Sequence, residues 1–193
     1  MCELYLKLPR LLTRGVLQDL REVFAKIDIA CILMQLPDGH DTAESIDAAL
    51  ASDFRALCHD HNTALLVEND LFFAGQIGAD GIHFSTDILQ HVENFDDLQK
   101  RSRKDLMFGG FCTDRHEALM CGEKGFDYVA FSIAQDANDK DGSYLKWWLD
   151  LVELPCVAWD VGTHEDIKKC FAIGVDFIGL DLALLDVYIS AKT

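Results

Sequence analysis

The stretch from Thr63 to Phe84, TALLVENDLFFAGQIGADGIHF, holds one complete structural unit. ALLVE at 64–68 is an apolar run of strand length. Asn69 and Asp70 break it with helix-capping residues, DLFFAGQIG carries apolar positions at helical spacing, Gly78 closes that helix, and GIHF at 81–84 opens a second strand. Strand, helix, strand in so short a space is the pattern of a parallel β-α-β unit, because parallel neighbours need a crossover that antiparallel ones do not.

The same alternation extends in both directions. Strand-like runs fall at LYLKL (4–8), IACILMQL (29–36), ALLVE (64–68), GIHF (81–84), LMFGGF (106–111), DYVAFSI (127–133), PCVAWDV (155–161) and DFIGLDL (176–182). Between them, TAESIDAALASDFRALCHDH and THEDIKKCFAIG read as helices opened by Thr42 and Thr163. Eight strands alternating with helices predict an α/β fold of the (β/α)8 TIM-barrel kind, and the absence of a Gly/Ser-rich or Pro-rich linker predicts a single domain over 1–193. Gly78-Ala-Asp, Gly125-Phe-Asp and Gly174-Val-Asp recur where a helix gives way to a strand, and they read as fold-maintaining joints. The last helix, from about Leu184, is short.

Composition bounds the function. Seventeen basic against 33 acidic residues leave a net charge of −16, which repels nucleic acid and anionic membrane surfaces. No apolar stretch is long enough to span a bilayer, and Glu3, Lys7, Arg10 and Arg14 interrupt the first residues, so no signal-peptide core is expected and the protein reads as cytoplasmic. The seven cysteines, at 2, 31, 58, 112, 121, 156 and 170, form no CxxC pair and read as reduced thiols, Cys31 and Cys156 as core residues.

Chemistry in such a barrel sits at the C-terminal ends of the strands. That rule selects Gln35 and Asp38; Glu68, Asn69 and Asp70; His83, Ser85 and Asp87; Cys112, Thr113 and Asp114; Ser132; Trp159, Asp160 and Gly162; and Asp181. No lysine is among them and Arg115 is their only basic neighbour, so a diphosphate would need Mg²⁺ to bind there. Asn69, Asp70 and Asp87, with Glu68 beside them, are candidate metal ligands, although Asn69 and Asp70 serve equally as helix caps. His83 points by alternation into the barrel or into the helix layer, as a structural histidine or a base. Adjacent Trp147 and Trp148 would mark a contact between two copies of the chain, a homodimer, if one indole is exposed.

The central stretch resembles the thiamine phosphate synthase and TenI-type thiazole tautomerase family, with its GADG(I/V)H signature intact from Gly78 to His83, and GFDYVAF, LPCVAWDVGTHED and GVDFIGLDLAL follow the family's order. The resemblance implies a reaction that joins hydroxymethylpyrimidine diphosphate to thiazole phosphate with Mg²⁺, giving thiamine phosphate and pyrophosphate. It also implies which residues should do this, and many differ. The Gln-Leu-Arg-x-Lys motif after the second strand reads Gln35-Leu36-Pro37-Asp38-Gly39, without either cation. The Asn-Asp pair after the third strand is Glu68-Asn69, and the second metal aspartate falls on Ile88, one position after Asp87. The Ser and His positions after the fifth strand are Phe111 and Thr113; the Thr-x-Thr-Lys loop is unrecognisable before Lys140; and the Gly-Gly phosphate cradle reads Asp160-Val161. Each lost charged contact is worth about 1.5 to 3 kcal/mol.

Three readings follow. The first is a family member with weak or lost catalysis that binds a small ligand at the mouth through Gln35, Asn69, His83, Thr113, Ser132, Trp159, Gly162 and Asp181, a neutral or cationic ring such as a pyrimidine, thiazole or thiamine. The second is an active, divergent synthase or tautomerase using Glu68, Asp87, Cys112 or Asp160 as acid or base. The third is a non-catalytic regulatory or structural partner protein.

Overall fold

The computed structural model describes residues 2–37, 46–85, 87–136 and 144–191; Asp38, Gly39 and Lys140 lie outside them. Eight parallel strands close into a barrel in sequence order: β1 (Glu3–Lys7), β2 (Cys31–Met34), β3 (Ala64–Glu68), β4 (Gly81–Phe84), β5 (Met107–Phe111), β6 (Tyr128–Ser132), β7 (Cys156–Trp159) and β8 (Phe177–Asp181), with β8 pairing back onto β1. The described helices around it are α1 (Arg14–Phe24), α2 (Ala48–Asp60), α3 (Leu71–Ile77), α4 (Ile88–Glu93), α5 (Phe95–Arg101), α6 (Arg115–Lys124), α7 (Ile133–Asp136), α8 (Tyr144–Leu151), α9 (His164–Ile173) and α10 (Leu185–Ala191), the last entered through a 3-10 turn. No described helix is long and apolar enough to cross a membrane. All seven cysteines are free and buried.

The strands are apolar on both faces because both faces are covered. Leu4, Leu6, Ile32, Val67, Ile82 and Phe131 point outward into the core shared with the helices. Tyr5, Cys31, Leu33, Leu66, Tyr128, Ala130, Val157 and Trp159 form a separate core inside the barrel. The helices start where caps allow. Thr163 and Asp166 form a reciprocal capping box on α9 as the sequence predicts, and α2 is capped by Asp47, which accepts from Ala49 N at 2.9 Å; Thr42 lies outside the described residues.

The repeated Gly-x-Asp joint has a precise role. At each one the glycine takes a left-handed conformation, φ 69° to 83°, that turns the chain out of the helix. The aspartate two residues on reaches back to the neighbouring strand: Asp80 accepts from Leu65 N at 2.9 Å, Asp127 from Phe108 N at 2.7 Å and Asp176 from Cys156 N at 2.9 Å. Strands are thereby tied in pairs at the N-terminal end of the barrel, β3 to β4, β5 to β6 and β7 to β8.

Inside the barrel, alternation and register group the inward residues of alternate strands into layers. Tyr5, Leu66, Gly109 and Val157 form one layer; Leu33, His83, Ala130 and Gly179 the next; Lys7, Glu68, Phe111 and Trp159 face the C-terminal mouth. Two large rings fit only because glycines lie under them: a Cβ on Gly109 would stand 1.8 Å from the Tyr128 ring, and one on Gly179 2.1 Å from the Trp159 ring. Gly109→Ala is expected to destabilise the fold by about 1 to 3 kcal/mol through overpacking, and the penalty to shrink in a Tyr128→Ala background, as read by denaturant unfolding of the four proteins.

Candidate functional site

Lys7 ends β1 and projects into the mouth, where it is 7% exposed. Its ammonium lies 3.8 Å from an Asp160 carboxylate oxygen, 3.5 Å from Asp181 and 4.8 Å from the centre of the Trp159 ring. Across the mouth, the Arg10 guanidinium is 3.1 Å from Glu68, which is itself buried, and also donates to the Leu36 carbonyl. The mouth therefore holds two cations that the sequence reading missed. Lys7 is concealed in the apolar run LYLKL and Arg10 lies beyond the strand end. Arg115, the one basic neighbour expected from sequence, instead lays its guanidinium over the Tyr144 and Trp147 rings at 5.4 Å and 4.9 Å. Trp148 is fully buried and Trp147 half-buried, so neither indole is the exposed contact that a homodimer would use.

His83 turns into the barrel and is fully buried. Its Nδ1 shares a 2.8 Å hydrogen bond with the Tyr128 hydroxyl, which shares another of 2.8 Å with Tyr5. The imidazole is stacked on Trp159, ring centres 5.0 Å apart. Its Nε2 has no hydrogen-bond partner among the described residues, an omission that ordinarily costs about 1 to 3 kcal/mol. Burial, and then the nearby Lys7 charge, push the His83 pKa from 6.5 down to about 3, so the ring is neutral. Burial likewise drives Tyr5 and Tyr128 well above the ordinary phenol range.

The other expected site residues divide. Gln35, Ser132, Trp159, Asp160 and Asp181 lie at strand ends on the mouth side. Asp160 holds a left-handed φ of 58°, a glycine-favouring conformation that aspartate tolerates better than most residues, and its side chain is 51% exposed. Cys112 is misplaced by the sequence reading. One residue past inward-facing Phe111, it points into the helix layer, fully buried, its sulfur 3.9 Å from that of Cys121. The Cys121 contact and burial raise its pKa, so this thiol is neither an acid nor a base at the mouth. Thr113 gives its N–H and hydroxyl to Glu117 at 2.6 and 2.8 Å, and Gly162 N–H donates to Asp166 at 3.2 Å.

Of the expected metal ligands, Asn69 and Asp70 are engaged in other bonds, as is Glu68 beside them. Asp70 caps α3 by accepting from Phe73 N at 2.8 Å. Asn69 exchanges two bonds with Ser85: its amide donates to the hydroxyl at 2.8 Å and its carbonyl oxygen accepts from Ser85 N at 3.0 Å. Glu68 faces Arg10, and Asp87 occupies the left-handed residue that begins α4. No group of three or more His, Cys, Asp or Glu side chains among the described residues could hold a metal ion. These residues do not fit Mg²⁺ as they stand. A cavity of about 660 Å³ opens beside the mouth between α1 and α10, its charged lining being Lys7 and Lys26 against Asp19, Glu22, Asp181 and Asp186.

Because the unfolded chain binds a proton at His83 more tightly than the folded protein does, this histidine makes stability fall as pH drops from 6.5 toward about 3 and leaves it unchanged above 6.5. Unfolding of wild type and His83→Gln across that window is expected to show a smaller slope for the variant, and the His83 ring resonances to remain those of a neutral imidazole at pH 6.5.

Comparison with known proteins agrees with this architecture. A family model described as thiamine monophosphate synthase matches residues 14–183. The thiamine-phosphate synthase of Erythrobacter litoralis is 31% identical over 146 residues, covering 71% of this chain and 67% of that protein. That of Rhodospirillum centenum is 30% identical over 160 residues, covering 79% and 74%. The solved thiamine phosphate pyrophosphorylase from Pyrococcus furiosus superposes with a TM-score of 0.75 over 98% of this chain and 92% of its own, at 19% identity, a likeness of fold. With the family model spanning most of the barrel, the chain belongs to the thiamine monophosphate synthase family.

Proposed function

We propose that this protein is a thiamine phosphate synthase-like member of thiamine metabolism that binds a small neutral or cationic ring at its barrel mouth, with the family's transferase reaction weak or lost. The observation that carries this reading is the pairing of the mouth's cations: Lys7 faces Asp160 and Asp181, and Arg10 faces Glu68. A departing pyrophosphate needs positive charge that is not already neutralised, and here both Lys7 and Arg10, the cations placed at the mouth among the described residues, are matched by carboxylate of their own chain. Three carboxylates against two cations among the described mouth residues, with the carboxylate-rich 660 Å³ cavity beside Lys7, favour a pyrimidine, a thiazole or thiamine over a phosphate ester. Seven buried cysteines outside any disulfide suit a reducing cytoplasm.

The test is thiamine phosphate formation by the purified protein, supplied with both family substrates and Mg²⁺, beside an active synthase. Two lost charged contacts at about 1.5 kcal/mol or more each predict turnover roughly a hundredfold or more below the control, while thiamine or one of its unphosphorylated precursors raises the melting temperature. Turnover near the control would overturn the reading in favour of a divergent but active enzyme.

A further inference from the structure

A second cavity, of about 230 Å³, lies at the opposite end of the barrel, beneath the Tyr5–Tyr128 pair, between Tyr5, Cys31, Leu66, Met107, Tyr128 and Phe177. It arises from the packing already described. Tyr128 belongs to the floor of the barrel by register, yet its ring passes over Gly109 so that its hydroxyl meets His83. The space it leaves is bordered by small residues, Ala30 and Ala64, rather than by the bulky side chains that usually plug a barrel floor. Among the lining residues only Glu3, exposed at the rim, carries a charge at neutral pH. The phenol oxygens at the top are satisfied by each other and by His83, so an occupant has no buried polar group to serve.

We propose that this floor cavity is a binding site for a small, uncharged, apolar molecule of about the size of one aromatic ring, entering from the N-terminal face. An enclosed apolar protein cavity of about 150 Å³ takes up benzene; the space here opens at the N-terminal face and shares the apolar walls. The layers holding His83, Lys7 and Trp159 separate it from the mouth, so its occupant is distinct from the mouth's ligand and the assignment stands whatever that ligand is.

The test titrates the intact protein, labelled with ¹³C at its methionine methyls, with benzene, and with benzoate as an anion of the same ring size. The Met107 methyl, in the cavity wall, is expected to shift saturably with benzene and not with benzoate, while Met34, on the helix-facing side of β2, stays in place. Ala64→Leu, which extends a side chain into the void, should abolish the shift, and Cys31→Leu, at an inward-facing wall position, repeats the test should the first variant fold poorly. A Met107 resonance that stays fixed in wild type overturns the proposal. So does a benzene shift that survives in a folded filled variant, and an equal response to benzoate overturns the assigned ligand class.

Discussion

Closing eight parallel strands into one barrel leaves a narrow column of space, and every inward side chain competes for it. This chain resolves the competition by pairing large rings with glycines. Tyr128 rises over Gly109 and Trp159 lies over Gly179, and from those two choices the interior follows. The Tyr128 hydroxyl arrives at His83, His83 stacks on Trp159, Trp159 presents its face to Lys7, and the floor beneath Tyr128 is left open. A hydrogen-bonded column of two phenols and an imidazole thus runs through a core that is otherwise apolar. Its members are held in their neutral forms by burial.

Above that column the physics is electrostatic. A lysine ammonium 7% exposed inside a barrel must find counter-charge; Asp181 supplies it from the end of the adjacent β8 and Asp160 from just past the end of β7, with Trp159 alongside. Arg10 and Glu68 repeat the arrangement across the mouth. On the function proposed above, charge so arranged serves the protein's own mouth rather than a phosphate group. Asp160 stands in a left-handed position where the family resemblance implies a glycine cradle, so the turn is kept and a carboxylate is added beside its backbone donors.

Much of this was legible in sequence because it is local. The alternation of apolar runs and helical patterns, the Gly-x-Asp joints and the Thr163 cap each depend on residues a few positions apart, and all appear in the fold. The site was less legible because it depends on pairs remote in sequence. Lys7 meets Asp181, and Arg10 meets Glu68, only once the barrel closes, and a lysine inside an apolar strand looks from sequence like an interruption of core. Cys112 shows the other limit. A shift of one residue past Phe111 reverses the face to which a side chain points, and a thiol at the strand end turned out to belong to the packing against Cys121.

If Asp160 and Asp181 neutralise Lys7 and so exclude a phosphate ligand, calorimetric titration of pyrophosphate, with and without Mg²⁺, into wild type and Asp160→Asn/Asp181→Asn gives no saturable heat from wild type and measurable binding once the two carboxylates are made neutral. Tight pyrophosphate binding by wild type, undiminished or weakened by the double substitution, would contradict that exclusion.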